Sequence, residues 1–361
     1  MKLPGLPFNP LRNRALIYGY SNARVKAMKT FLIPQGQMEE MVDVGELGAV
    51  TGILERTNYK EDLVVLSLRY SGADLIELAL GRNFARTCRK LIRIAPGDAT
   101  STLLGILERW DVHNLKTIIL AKGLGYPEEQ ITPFLVPAGG LGEAELKKIL
   151  KKDAGELAEY LKRTKYAPVA EAFEEHAEDV RNKNLAPILS ALDNVYFRAL
   201  PGKITAKDAE MATILSLVRA EVDMKNIMSI LRAKKENLGD EAIGKLMIEG
   251  GNLGANELRK LIEAKTIPDM IARLRRAYNL NAALEKYNAD NSLTHFEIDL
   301  ENRIAEKGIK ALRRSILSIG AIVGFLYLKE AEVKNIRKIV RAKEFRIPNE
   351  KLKEMLITVG G

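Results

Sequence analysis

The sequence predicts an all-α protein built from three similar helical units, and three observations carry that expectation. The first is residue usage. Leu, Ala, Lys, Glu and Ile dominate while aromatics make up only 6%, and straight-chain residues and Ala lose little freedom on entering a helix. The second is a twelve-residue signature that occurs three times. The third is a separate glycine marker that follows each copy.

The signature is acid-x-x-Asn-Leu/Ile-x-x-Ile-x-x-Ala-Lys. Its copies run from Asp111 through Asn114, Leu115, Ile118 and Ala121 to Lys122; from Asp223 through Asn226, Ile227, Ile230 and Ala233 to Lys234; and from Glu332 through Asn335, Ile336, Ile339 and Ala342 to Lys343. The copies begin 112 and 109 residues apart. Asn at i, Leu/Ile at i+1, Ile at i+4 and Ala at i+7 share one face of a 3.6-residue helix. The acid lies one turn earlier, where it can complement a helix N-terminus. Ala permits close helix approach, and a buried Asn persists only when hydrogen-bonded. Asp111, Asn114, Asp223, Asn226, Glu332 and Asn335 are therefore expected to be structural polar residues, with each Asn bonded to a neighbouring helix.

The glycine marker reads Leu135-x-x-x-Gly139-Gly140, Leu246-x-x-x-Gly250-Gly251 and Leu356-x-x-x-Gly360-Gly361. A phosphate loop is not expected, since no Lys-Ser/Thr follows and no strand precedes. Glycine just past a helix end, turning the chain through a left-handed residue, accounts for the pairs. A fainter echo opens the units: Leu54-Glu-Arg56-Thr57-Asn-Tyr59 parallels Leu161-Lys-Arg163-Thr164-Lys-Tyr166, with Ile262-Glu-Ala-Lys-Thr266 near the corresponding place. The units expected are 1–140 (an N-terminal arm plus the first), 141–251 and 252–361.

Strand signals are weak. The best, Leu63-Val-Val-Leu-Ser-Leu, is short enough to be a buried helix turn. The longest apolar run, Ile316 to Leu328, would cover only about 20 Å as a helix, short of the roughly 30 Å hydrocarbon layer, and reads as a core helix. Cys88 is the single cysteine, so there is neither an internal disulfide nor a thiolate cluster for a metal. Prolines at 4, 7 and 10 interrupt any secretory signal.

No chemistry-bearing constellation emerges. His113, His176 and His295 stand far apart, and the other signature copies place Lys225 and Lys334 where the first has His113. There is no nucleophile elbow and no dinucleotide fingerprint. Arg86-Thr-Cys-Arg89-Lys90 and Arg273-Leu-Arg275-Arg276 lack the interleaved aromatics of nucleic-acid binders. Glu171, Glu174, Glu175, Glu178 and Asp179 read as a solvated helix face. No catalytic, cofactor-binding or metal residue is expected.

The net charge of +9 sits at the ends. Residues 1–30 hold six basic side chains and no acid, and residues 329–361 hold nine basic and five acidic, leaving the middle near neutral. A charged partner would meet the ends first.

With the repeats laid out, the chain resembles the C subunit of archaeal and bacterial A-type (V-type) ATP synthases, the counterpart of the d subunit in eukaryotic V-ATPases. The resemblance rests on Tyr18-Gly-Tyr20-Ser-Asn22-Ala-Arg24-Val-Lys26-Ala-Met28, on Leu192-Asp193-Asn-Val-Tyr196-Phe197 and on the three signature helices. It implies three helical units around a pseudo-threefold axis, forming a funnel or socket with no active site. It also implies a central-stalk coupling role, as a single copy in a hetero-oligomeric complex. On that reading the chain sits peripherally on the cytoplasmic face of the cell membrane, links the proteolipid ring to the rotor shaft, and so lets ion flow drive ATP synthesis. No nucleic acid is expected as partner. The Pro4/Pro7/Pro10 leader is outside the resemblance. If closure of the units brings the ends together, Arg12, Arg14, Arg24, Lys26, Lys29, Arg337, Lys338 and Arg341 form a face toward the ring. The competing reading is a basic helical-repeat scaffold for RNA or protein. It explains charge and repetition but not the period, since common solenoid repeats run to roughly 50 residues.

Overall fold

A computed structural model describes residues 10–204, 209–314 and 317–357. The Pro4/Pro7 leader, the Arg12 side chain and the Gly360-Gly361 pair lie outside them. Among the described residues every regular element is a helix. An N-terminal helix, α1 (Pro10–Lys29), stands apart, and a common order of elements then runs three times.

The first run comprises α2 (Gln35–Asp43), α3 (Leu47–Leu54), α4 (Lys60–Leu66), α5 (Gly72–Ile94), α6 (Gly97–Leu107), α7 (Arg109–Gly123) and α8 (Glu128–Ile131). The second comprises α9 (Glu143–Leu150), α10 (Ala154–Lys162), α11 (Ala167–Glu175), α12 (Ala177–Arg181), α13 (Ala186–Lys203), α14 (Ala209–Lys235) and α15 (Asp240–Lys245). The third comprises α16 (Ala255–Ile262), α17 (Ile267–Leu274), α18 (Asn281–Asp290), α19 (Thr294–Arg314), α20 (Ile319–Glu344) and α21 (Asn349–Met355). Each run reads as short helices, a long helix, a second long stretch ending in the signature, one short helix and an extended tail. In the first run that second stretch is broken at Glu108, so α6 and α7 together correspond to the unbroken α14 and α20.

Local sequence explains the elements. Leu258, Leu261 and Ile262 are buried on one side of α16 at i, i+3 and i+4 spacing, the stripe of a helix lying on a core. The Asp153 side chain accepts from the Glu156 amide at 2.8 Å and caps α10, and Thr266 does the same for α17 through the Asp269 amide. Leu63 to Leu66 falls within α4, so the one candidate strand is helical. Ile319 to Leu328 opens α20 and is buried on all sides. Among the described residues no helix is long and apolar enough to cross a membrane.

The signature helices share their core across runs. Leu115 and Ile118 of α7, Val218 and Val222 of α14, and Ile322, Phe325 and Leu326 of α20 belong to one buried cluster. A second cluster joins Ile227, Ile230 and Leu231 of α14 to Leu261, Ile271 and Phe296 of the third run. Helix α1 packs against α5 and α20. Its Asn22 side chain donates to the Ser318 carbonyl at 3.4 Å, and its Ser21 hydroxyl donates to the Ile94 carbonyl.

Candidate functional site: a central cavity and three junctions

The signature asparagines occupy matching places. Asn114 exchanges two hydrogen bonds with the backbone of Val136, both 2.8 Å. Asn226 does so with Ile248 at 2.8 Å and 2.8 Å, and Asn335 with Ile357 at 2.9 and 2.8 Å. All three are buried. Their partner is the extended tail of each run, not a neighbouring helix, because an edge with free N–H and C=O offers an amide side chain both of its bonds. Asn and partner are 22 residues apart every time.

The signature acids reach further, to the start of the following run. Asp111 accepts from the amides of Gly140 and Leu141 at 2.9 and 2.8 Å. Asp223 accepts from the Leu253 amide at 3.0 Å, the Asn252 side chain at 2.9 Å and the Tyr278 hydroxyl at 2.6 Å. Glu332 accepts from the Ile33 amide, the Tyr59 hydroxyl at 2.8 Å and the Lys329 ammonium at 2.7 Å. Leu141, Leu253 and Ile33 each lie two residues before the first short helix of a run. The contacts therefore follow a cyclic order, with the third signature helix holding the first run. The final lysines of the second and third copies repeat the pattern. Lys234 donates to the carbonyl ends of α16 at Ile262 and Ala264, and Lys343 donates to that of α2 at Val42, where a cation meets the negative helix pole.

Burial pushes the Asp111 carboxyl above the ordinary range, against the pull of its two amide bonds. The Tyr59 phenol is pushed well up by burial and by Glu332. These tyrosines correct the faint echo: Tyr59, Tyr166 and Tyr278 are counterparts, and Thr266 corresponds instead to the cap Asp153. Tyr166 lacks the bond its counterparts make, its buried hydroxyl having no partner.

The glycines also differ from expectation. Of the two described pairs only Gly250 has a left-handed backbone, at φ 94°. A Cβ on Gly139 would strike the Asp111 carboxylate, and one on Gly251 the Asp223 carboxylate. Close approach of the acid, more than helix reversal, excludes a side chain there.

Two residues before each acid, the signature helices converge. Arg109 donates to Glu221 at 2.8 Å and to Glu330 at 2.6 Å, and the Trp110 indole donates to Glu330 at 3.2 Å. The Arg109, Glu221 and Glu330 side chains are 17%, 15% and 14% exposed. Sequence reading missed this triad, because position and not residue type is what repeats. Arg109 also sits 5.1 Å from the Tyr327 ring centre. Burial raises the Glu330 carboxyl despite Arg109.

The triad lies in the wall of a cavity of about 760 Å³ lined by all three signature helices. Further residues of its wall are His113 and Lys116 from α7, Met224, Lys225 and Met228 from α14, and Lys334 and Arg337 from α20. Carboxylates on the long helices tie the basic residues down. Asp193 bridges Lys116 at 2.5 Å and Lys225 at 3.3 Å. Glu301 binds Lys334 at 2.9 Å and Lys338 at 2.6 Å, and Glu77 binds Arg337 at 2.9 Å and Arg341 at 3.6 Å. His113 opens to the cavity. Burial, then Arg337, Lys116 and Lys225, lower its imidazole to about 4.

The residues of the expected basic face stand in different surroundings. Arg24, Lys26 and Lys29 are exposed on α1. Arg14 is half-buried. Arg337 lines the cavity, and Arg337, Lys338 and Arg341 are engaged by Glu77, Glu301 and Glu344. Among the described residues no group of His, Cys, Asp and Glu could hold a metal ion.

Residues 21–355 match the family model described as ATP synthase (C/AC39) subunit. The chain is 31% identical to the C subunit of the A-type ATP synthase of Methanosarcina barkeri, over 96% of this chain and 95% of that protein. It is 31% identical to that of Methanosarcina mazei, over 95% and 93%, and 28% identical to that of Thermoplasma acidophilum, over 94% and 97%. A match of this extent, on a helical chain whose signature helices meet around one cavity, places it: the protein belongs to the ATP synthase (C/AC39) subunit family.

Proposed function

We propose that the chain is the non-catalytic coupling subunit of an A-type ATP synthase, a socket that holds the foot of the rotor shaft above the membrane proteolipid ring. The observation that carries this reading is the 760 Å³ cavity where α7, α14 and α20 meet. Around it the acid junctions run in cyclic order, which supports three units, bounded near 140 and 251, about a pseudo-threefold axis. Torque transmission calls for a stiff, well-packed part and not for a reactive group. The paired walls at Asp193, Glu301 and Glu77 are suited to that, because each bonded charge fixes a long side chain that would otherwise be mobile.

On this reading the protein lies peripherally on the cytoplasmic face of the cell membrane, one copy per complex. The exposed Arg24, Lys26 and Lys29 of α1 supply the positive charge that meets the ring. Exposed pairs contribute about 0–1 kcal/mol each, so several must act together, and the attachment weakens with salt.

Reconstitution tests the proposal. The purified chain should bind isolated shaft subunits and, separately, the membrane sector at low salt. It should not bind ATP. Capture of nucleic acid, with neither shaft nor ring bound, would favour the scaffold reading instead.

A further inference from the structure

The three acid junctions make matching bonds but differ in how the chain connects them. Asp111 and Asp223 are answered by Leu141 and Leu253, 30 residues onward in each case. Glu332 is answered by Ile33 and Tyr59, which lie 299 and 273 residues back. Two junctions are thus leashed by a short helix and a tail, and the third is held by side chains and packing alone. Closing a longer loop costs more entropy.

The third junction also has its own chemistry. Lys329, 2% exposed, donates to the Tyr59 hydroxyl at 3.0 Å and to Glu332, and its ammonium lies 4.3 Å from the Tyr59 ring centre. The matching positions hold Glu108 and Ala220, so neither leashed junction carries a lysine there. A buried ion pair gives back much of its attraction as desolvation, while loss of one partner strands the other charge. Such a joint is specific in where it closes, and it adds less stability than an apolar contact of equal size. Beyond it the seam continues through the half-buried Lys343–Val42 and Arg337–Glu77 bonds to an exposed pair, Lys353 with Asp43 at 2.9 Å.

We propose that the ring of runs is a clasp. It opens between α20 and the Ile33–Tyr59 segment while the two leashed junctions stay shut, and it closes on the occupant of the central cavity. The occupant's identity as a shaft rests on the socket reading above; the order of opening does not.

The structure provides its own controls, because the Ile33, Leu141 and Leu253 amides make the same bond at matching places. Native-state hydrogen exchange on the full chain should show the Ile33 amide exchanging about tenfold faster than the other two or more, since local openings span a wide range of free energy. Lys329→Met, and more mildly Tyr59→Phe, should speed Ile33 further and leave Leu141 and Leu253 unchanged. Protection of Leu141 and Leu253 reports that the variants remain folded. Equal or greater protection of Ile33, or indifference of Ile33 to both substitutions, overturns the clasp. Adding purified shaft subunits should slow Ile33 selectively. Shaft binding without that slowing also overturns it. Absence of shaft binding counts against the socket, and the exchange order of the free chain then decides the clasp alone.

Discussion

Replacing Arg109 by Met should weaken the protein by about 3 kcal/mol, and the geometry of the triad gives the reason. Arg109 stands between Glu221 and Glu330, with bonds of 2.8 and 2.6 Å. Its removal leaves two carboxylates facing each other where each retains about a seventh of its surface. Breaking a buried pair costs about 3–5 kcal/mol, and the residual exposure puts this site at the lower end. Over 361 residues an unfolding entropy of about 2.1 cal/mol/K per residue converts 3 kcal/mol into roughly 4 °C of melting temperature. The loss should depend on pH with a definite sign. Burial already raises the Glu330 carboxyl, and without Arg109 it rises further. A raised folded pKa gives stability that is present at low pH and lost as pH rises through it. Thermal melts followed by circular dichroism should therefore show a larger penalty at pH 8 than at pH 5. Adding Glu221→Gln and Glu330→Gln to the same chain should restore most of the loss. A shift under about 1 °C, or no rescue by the added substitutions, would refute the role given to the triad.

Three further outcomes follow from the same geometry. Asn226→Leu strands the Ile248 amide and carbonyl and should cost about 1–3 kcal/mol in urea unfolding; a loss under about 0.5 kcal/mol would contradict the clamp. Gly251→Ala forces the Asp223 carboxylate aside and should destabilise by about 1–3 kcal/mol, whereas Gly142→Ala, with open space around it, should be near neutral. His113, lowered to about 4 mainly by burial, should keep a neutral imidazole by NMR down to that range. Its neutral form supports folding above about pH 6.5, and that support falls away toward pH 4. A midpoint near 6.5 would be inconsistent with this wall.

Much of the fold was legible because the acid–Asn spacing survives in every run, and a residue type kept at a fixed period reports a contact. The Asn–tail bond spans 22 residues in each copy, which fixes the frame at 112 and 109 residues. The glycine marker is one residue out of that frame, since Gly139 matches Gly251 and not Gly250. Adjacent glycines hide such a slip; only the carboxylate that each would strike reveals it. The Tyr echo was mistaken at its third copy because Leu274-Arg-Arg-Ala-Tyr278 is one residue shorter and lacks the Thr. The triad was harder still. Arg109, Glu221 and Glu330 keep their position but not their charge, and reading two residues back from each acid would have found them. Charge counting likewise could not tell an open basic face from a paired wall, because Glu77 lies 260 residues from Arg337.

The central claim is that the cavity seats a rotor shaft, and one cross-link addresses it. Ser229 lines the cavity, and Cys88, the only native cysteine, is buried. Ser229→Cys can therefore carry a maleimide-linked photoprobe alone. Illumination of the assembled A-type complex should join the probe to a central shaft subunit, in a product identified by mass spectrometry. A product confined to the proteolipid ring or to the catalytic head, with the shaft unlabelled, would contradict the socket.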